Sequence, residues 1–306
     1  MRFAISIPQY HPDGSFDPGA FRAYLTRAEE LGFDSAWTQE QVLGTMPHLA
    51  PIETMTYAAA CTERLRLGCA VLVSSLHSPV HLAKSIGTLD QLSRGRIDVG
   101  LGIGGRQRAV AAFGVDPDTL NTRFTEGLEV MRACWTQPRV TFAGRFWQLE
   151  DAAMEPKPFQ KPHPPVWFGG SHPNALRRAV RLADAFMGAG STTTEQFAGQ
   201  VKVLRSELAE AGRDEQDLPI AKRVYIAVDD DLERGRARIG AALDQLYGYF
   251  GLSGLTALAV YGPPEECVRG LRAVADAGAA TILLNPMYDD AEQMERLAAE
   301  VIPALT

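Results

Sequence analysis

Two strand-like segments of this 306-residue chain end in glycine, and they offer the most room for a bound group. Across residues 96–105, Ile97, Val99, Leu101 and Ile103 alternate with small residues, the period of an extended chain. Gly100, Gly102, Gly104 and Gly105 remove side chains where another group must come close. A shorter copy covers 165–170, ending in Gly169 and Gly170, after which Ser171, His172 and Pro173 open a helix. Backbone N–H groups there, with the Ser171 hydroxyl, suit a phosphate. An ordinary strand-to-helix turn fits these residues equally well. The spelling Gly100-x-Gly102-x-x-Gly105 also matches the dinucleotide fingerprint, but the returning strand that fingerprint needs does not follow.

Other chemistries lack their residues. The six histidines show no H-x-H or H-E-x-x-H spacing, so no metal site is expected. The four cysteines lie far apart with no C-x-x-C pair, the pattern of free thiols in a cytoplasmic protein. A net charge of −7 without a basic run argues against a nucleic-acid or anionic-membrane partner. No stretch is apolar enough to span a bilayer, and the N-terminal segment is too short and too alternating for a signal peptide. The expected partner is a small-molecule substrate.

The elements that position these residues alternate regularly. A strand at 2–8 precedes a helix at 18–31, with Asp17 as N-cap, Pro18 in the first turn and Gly32 at the end. Strands at 34–39 and 65–73 follow with helices at 52–62 and from Ser78 to Gly95, and the glycine-ended strand is fourth. An insertion over about 106–164 then breaks the rhythm: a helix at 121–135, a hairpin at 140–151 and a connector at 154–165 with five prolines. Strands at 166–169, 185–189, 220–228 and 281–286, each with a helix, complete eight; residues 247–261 form a glycine-broken segment. The fold class is α/β, a (β/α)8 TIM barrel in one domain over 1–306, with the insertion between strands 4 and 5. A domain boundary at the proline connector is the alternative.

In such a barrel the site lies at the C-terminal strand ends. Tyr10 and His11 end strand one, and Glu40 and Gln41 follow strand two. Glu40 is the only carboxylate placed on this rim, and no lysine joins it, since Lys222 sits early in its strand. A rim without paired acids, metal ligands or a nucleophile–base pair implies that a cofactor carries the chemistry.

The chain resembles the bacterial luciferase-like flavin and deazaflavin oxidoreductases over essentially its whole length. The matching segments are 31–37, 65–74, 78–84, 88–96, 100–105 and 165–170. The likeness is greatest to members using the deazaflavin coenzyme F420. The resemblance implies that Gly104, Gly105, Gly169, Gly170 and Ser171 approach the cofactor, and that Ala70 and Val71 form a bulge behind its ring, with a non-proline cis peptide in deazaflavin members. It also implies a homodimer. Many deazaflavin members end strand two with Asp-His, and this chain has Glu40-Gln41, so the imidazole is missing there; His48 or His77 could replace it. Glu40 is the expected catalytic and cofactor-contacting residue, and Tyr10, His11, Gln41, His48 and His77 are the expected substrate contacts. The implied activity is hydride transfer between the coenzyme and a small organic substrate. The alternatives are an FMN-dependent monooxygenase using FMNH2 and oxygen, and a non-catalytic flavin-binding barrel.

Overall fold

The structure, a computed structural model, describes residues 1–11, 14–44, 46–104, 108–248 and 251–305. Gly105, one of the expected cofactor contacts, lies outside the described residues, as do Tyr249 and Phe250. In chain order the elements are β1 (Arg2–Ser6), α1 (Pro18–Glu30), β2 (Ser35–Thr38), α2 (Pro51–Cys61), β3 (Arg66–Cys69) and β4 (Leu72–Val73). Next come α3 (Pro79–Leu92), β5 (Ile97–Gly102), α4 (Leu120–Thr136), β6 (Val140–Ala143), β7 (Gln148–Ala152) and β8 (Val166–Gly169). The chain continues with α5 (Pro173–Leu182), β9 (Ala185–Gly188), α6 (Thr194–Glu210), β10 (Ile220–Val228) and α7 (Leu232–Gly248). It ends with β11 (Ala259–Gly262), α8 (Pro264–Asp276), β12 (Thr281–Pro286) and α9 (Asp290–Arg296).

The main sheet is ordered β11-β10-β12-β1-β2-β3-β5-β8-β9, with β4 on β5 and β9 also paired to β10. That order is cyclic, and with helices between its strands it is the topology of a (β/α)8 barrel. The chain forms two compact units. The first comprises Met1–Pro8, Ser15–Trp37 and Gly169–Thr306, and the second Gln9–Gly14 and Thr38–Phe168.

In the first unit, β10 is the central strand, and all nine of its residues are buried, as expected for a parallel strand covered on both faces. It pairs with β9 through residues 220–222 and with β12 through 221–226. Helix α1 starts where the sequence predicts: the Asp17 carboxylate accepts from the N–H groups of Gly19 (2.7 Å) and Ala20 (3.2 Å), a cap worth about 1 kcal/mol. Phe21, Tyr24, Leu25 and Ala28 form its buried face. The glycine-broken segment expected at 247–261 gains regular structure at both ends. Helix α7 continues through Tyr247, and β11 adds a strand beside β10, pairing 225–228 with 259–262. A strand of four residues, three of them only half-buried, is too short to show an alternation in the sequence.

In the second unit β3 and β4 both pair with β5, and β5 pairs with β8. The expected continuous strand at 65–73 is therefore broken at Ala70 and Val71. The hairpin β6–β7 forms within the insertion, as expected. The core here is aromatic: Phe124 meets Phe168 edge-on at 5.0 Å, and the Trp135 indole N–H donates to the Ala83 carbonyl at 2.9 Å. The proline connector is docked, since the Gln160 backbone and side-chain N–H groups both donate to the fully buried Asp90 carboxylate at 2.8 Å.

Candidate functional site

The second unit brings Glu40, the bulge and His77 together. Strand β3 stops after Cys69, and the Ala70 N–H donates to the Thr38 carbonyl at 2.8 Å. The Ala70–Val71 peptide is cis, as the resemblance implies. Pairing resumes at β4, with Leu72 opposite Leu101 and Val73 opposite Gly102. The Glu40 side chain, only 5 % exposed, reaches across to this restart. Its Oε2 accepts the Val73 N–H at 2.6 Å, and its Oε1 lies 2.8 Å from His77 Nε2. His77 is delivered by the 3-10 turn Ser74–Leu76, and its backbone N–H donates to the Ser74 carbonyl at 3.2 Å. The hydrogen bond to Glu40 raises the His77 pKa above its ordinary value of 6.5, although burial works against the charged ring. Beside it, the fully buried Ser75 hydroxyl donates to the Ile103 carbonyl at 2.5 Å.

The glycines of β5 have a nearby cause. A Cβ on Gly102 would stand 2.4 Å from Val71 Cγ2, and one on Gly104, whose φ is +79°, would stand 2.5 Å from Val73 Cγ1. The close approach these glycines permit includes that of the bulge's own valines. Gly104 thus has a packing role in addition to the expected cofactor contact.

The other expected substrate contacts form a separate network in this unit. Gln9, 4 % exposed, donates from Nε2 to the carbonyls of Gln39 (3.0 Å) and Leu49 (2.8 Å) and accepts the Gln39 N–H at 2.7 Å. Tyr10 bridges to His48, the His11 N–H donates to the Pro47 carbonyl at 3.0 Å, and His48 Nε2 lies 3.3 Å from Gln39 Nε2. Gln41 folds back over Gly44. Of the two histidines able to replace the missing imidazole, His77 meets Glu40 and His48 meets Gln39. Gln9 escaped sequence reasoning because a lone glutamine near a strand end carries no motif.

In the first unit, Gly169, Gly170 and Ser171 precede α5. Gly170 has φ +144°, and a Cβ there would stand 2.9 Å from Ala175 Cβ, so the turn itself requires glycine. Ser171 is exposed, and His172 rather than Ser171 caps α5, its Nδ1 accepting the Asn174 N–H at 3.1 Å. Lys222 is occupied structurally: its Nζ donates to the Thr192 carbonyl (2.9 Å), the Thr192 hydroxyl (3.0 Å) and the Ala189 carbonyl. Burial pulls this ammonium down to about 7 while the three acceptors hold the β9–α6 loop against it. The Tyr225 and Tyr247 hydroxyls meet at 2.9 Å. Among the described residues, no group of His, Cys, Asp and Glu is arranged to hold a metal ion, and no helix is long and apolar enough to cross a membrane.

Known proteins resemble this chain in sequence and in fold. An uncharacterized protein of Mycobacterium tuberculosis is 39 % identical over 173 residues, 55 % of this chain and 59 % of that protein; the match thus spans little more than half of that relative. The F420-dependent glucose-6-phosphate dehydrogenase of Intrasporangium calvum is 28 % identical over 321 residues, 95 % of this chain and 96 % of that enzyme. Among solved structures, the monooxygenase RslO1 from Streptomyces bottropensis superposes with a TM-score of 0.84 at 25 % identity, covering all of both chains. The family model for luciferase-like monooxygenases matches residues 1–281, and this chain belongs to that family of oxidoreductases.

Proposed function

We propose that the protein transfers hydride between the deazaflavin coenzyme F420 and a small organic substrate. The observation that carries this reading is the Glu40–His77 pair beside the Ala70–Val71 bulge. It supplies a carboxylate-held imidazole, the combination that the Asp-His ending of strand two implies in deazaflavin members. Likeness to an F420-dependent dehydrogenase over 95 % of the chain supports the same coenzyme.

The residues at the bulge fit a deazaflavin ring. Ser74 follows β4 directly, is 7 % exposed, and its hydroxyl has no hydrogen-bond partner among the described residues. A ring edge that both donates and accepts satisfies such a hydroxyl. When bound, the coenzyme supplies a hydride at its C5 carbon. The chain's residues handle the accompanying proton. Glu40 is fixed by the Val73 N–H and stabilises charge on His77, so it is a positioning residue. With Nε2 held by Glu40, the proton exchanged with substrate sits on His77 Nδ1. Gly170 and Ser171 in the first unit are proposed phosphate contacts.

Parallel fluorescence titrations with the deazaflavin coenzyme and FMN test the reading. The expected result is at least about tenfold tighter binding of the deazaflavin, about 1.4 kcal/mol. Tighter FMN binding, with oxygen consumed on adding substrate, would instead establish the monooxygenase reading that similarity to RslO1 favours.

A further inference from the structure

The buried Gln9 amide has a partner for each of its hydrogen-bonding groups. Nε2 donates to the carbonyls of Gln39 and Leu49, and Oε1 accepts the Gln39 N–H. The Gln9 backbone carbonyl also accepts the Leu49 N–H at 3.0 Å. Two amide hydrogens meet two carbonyls and one amide oxygen meets one N–H, so the partners allow the side chain a single orientation. Strand β2 ends at Thr38, and Gln39 lies just beyond it. Gln9 therefore satisfies both backbone groups of a residue that has left the strand.

These bonds tie down the two ends of the 39–49 segment, and Glu40 is the residue next to one tie. Val42 and Leu43, which follow within the segment, are 58 % and 45 % exposed, so packing there does little to hold Glu40 in place. Yet Glu40 needs an exact seat. Its carboxylate meets the Val73 N–H at 2.6 Å and His77 Nε2 at 2.8 Å together. A displacement of about 1 Å away from either partner takes that contact beyond hydrogen-bond range.

We propose that Gln9 is a positioning residue for the reaction: its side-chain amide fixes the backbone at Gln39 and thereby sets Glu40 against His77. The proposal rests on the reading above, in which His77 exchanges the proton. Gln9 acts on the imidazole only through Glu40, and all of these residues belong to the second unit.

NMR titration of the His77 ring in the coenzyme-free protein tests this. Gln9→Met keeps the side-chain length and removes the amide, and the His77 pKa is expected to fall toward its ordinary 6.5. In the Glu40→Gln background the same substitution is expected to leave the His77 titration where Glu40→Gln alone puts it, because the path through the carboxylate is already cut. Gln160→Met controls for lost stability in the same unit. It removes side-chain bonds to Asp90 and to the Ile97 carbonyl, both at 2.8 Å, and is expected to lower the urea midpoint with the His77 titration unchanged. If Gln9→Met does not fold, hydrogen exchange of the wild type decides: the Gln39 N–H is expected to exchange at least about tenfold more slowly than an exposed loop amide. An unchanged His77 titration in Gln9→Met, the same shift in Gln160→Met, a further shift in the Glu40→Gln background, or an unprotected Gln39 N–H would each overturn the positioning role. Each leaves the hydride-transfer reading intact, since no coenzyme is present; that reading fails separately if the deazaflavin coenzyme does not quench the fluorescence of the wild type.

Discussion

Replacing Glu40 with glutamine removes one charge from a side chain that is 5 % exposed and already committed at both oxygens. Glutamine has one acceptor atom where the carboxylate has two. If its oxygen keeps the Val73 N–H, its NH2 faces His77 Nε2, which must then accept, and the ring is forced into the neutral tautomer with its proton on Nδ1. If its oxygen keeps His77, the NH2 opposes the Val73 N–H and the bulge loses its anchor. Either way one charge-assisted hydrogen bond is lost, worth about 1.5–3 kcal/mol. If that energy supports the protonated imidazole in the transition state, turnover falls roughly tenfold to a hundredfold. The His77 pKa is raised in the folded protein, so the pair's contribution to stability is complete below the ordinary 6.5 and is lost as pH rises through the folded value. The stability gap between wild type and Glu40→Gln is thus expected to be widest near about pH 5 and to narrow toward alkaline pH. The assay is a pH–rate profile beside an NMR titration of the His77 ring and urea unfolding at several pH values. A His77 titration curve unchanged in Glu40→Gln, or wild-type turnover at every pH, refutes the reasoning.

Other substitutions separate chemistry from scaffold. His77→Gln is expected to lower kcat by about 10²–10⁴-fold, the usual contribution of a general acid, while coenzyme affinity measured by quenching stays the same. Gly102→Ala places a methyl 2.4 Å from Val71 Cγ2 and is expected to cost about 1–3 kcal/mol in chemical denaturation, part of which Val71→Ala restores in the double variant. Lys222→Met leaves the Thr192 carbonyl without its donor and is expected to cost about 1–3 kcal/mol. Because burial takes the Lys222 pKa from 10.5 down to about 7, wild-type stability relative to that variant is expected to rise with pH across this interval, measured by urea midpoints.

The parts of the fold legible in the sequence are those that local rules determine. Asp17 and Pro18 announce α1 because capping is decided within three residues. The nine-residue strand at 220–228 is recovered residue for residue, since its apolar run from Val224 to Val228 marks a strand buried on both faces. The site is less legible because its contacts are tertiary. Glu40 and His77 lie 37 positions apart, and nothing along the chain says which histidine turns toward the carboxylate. Likewise the break between β3 and β4 at Ala70 and Val71 is implied by family resemblance rather than by the residues. The glycines of β5 are conspicuous in sequence, yet their spacing cannot reveal that Val71 and Val73 occupy the room they leave.

That last arrangement gives the bulge a history-dependent tolerance. Shrinking Val71 opens space and can be followed by a methyl at Gly102; shrinking Val73 opens space at Gly104, where the left-handed backbone still resists one. The reverse order passes through a steric conflict, with carbons 2.4–2.5 Å apart, before any relief arrives. Sequence change in this corner of the protein therefore has a direction. A mutational scan made one position at a time will report the glycines as immutable, while a combinatorial library that varies residues 71 and 102 together will find neighbours that the single-site scan cannot reach.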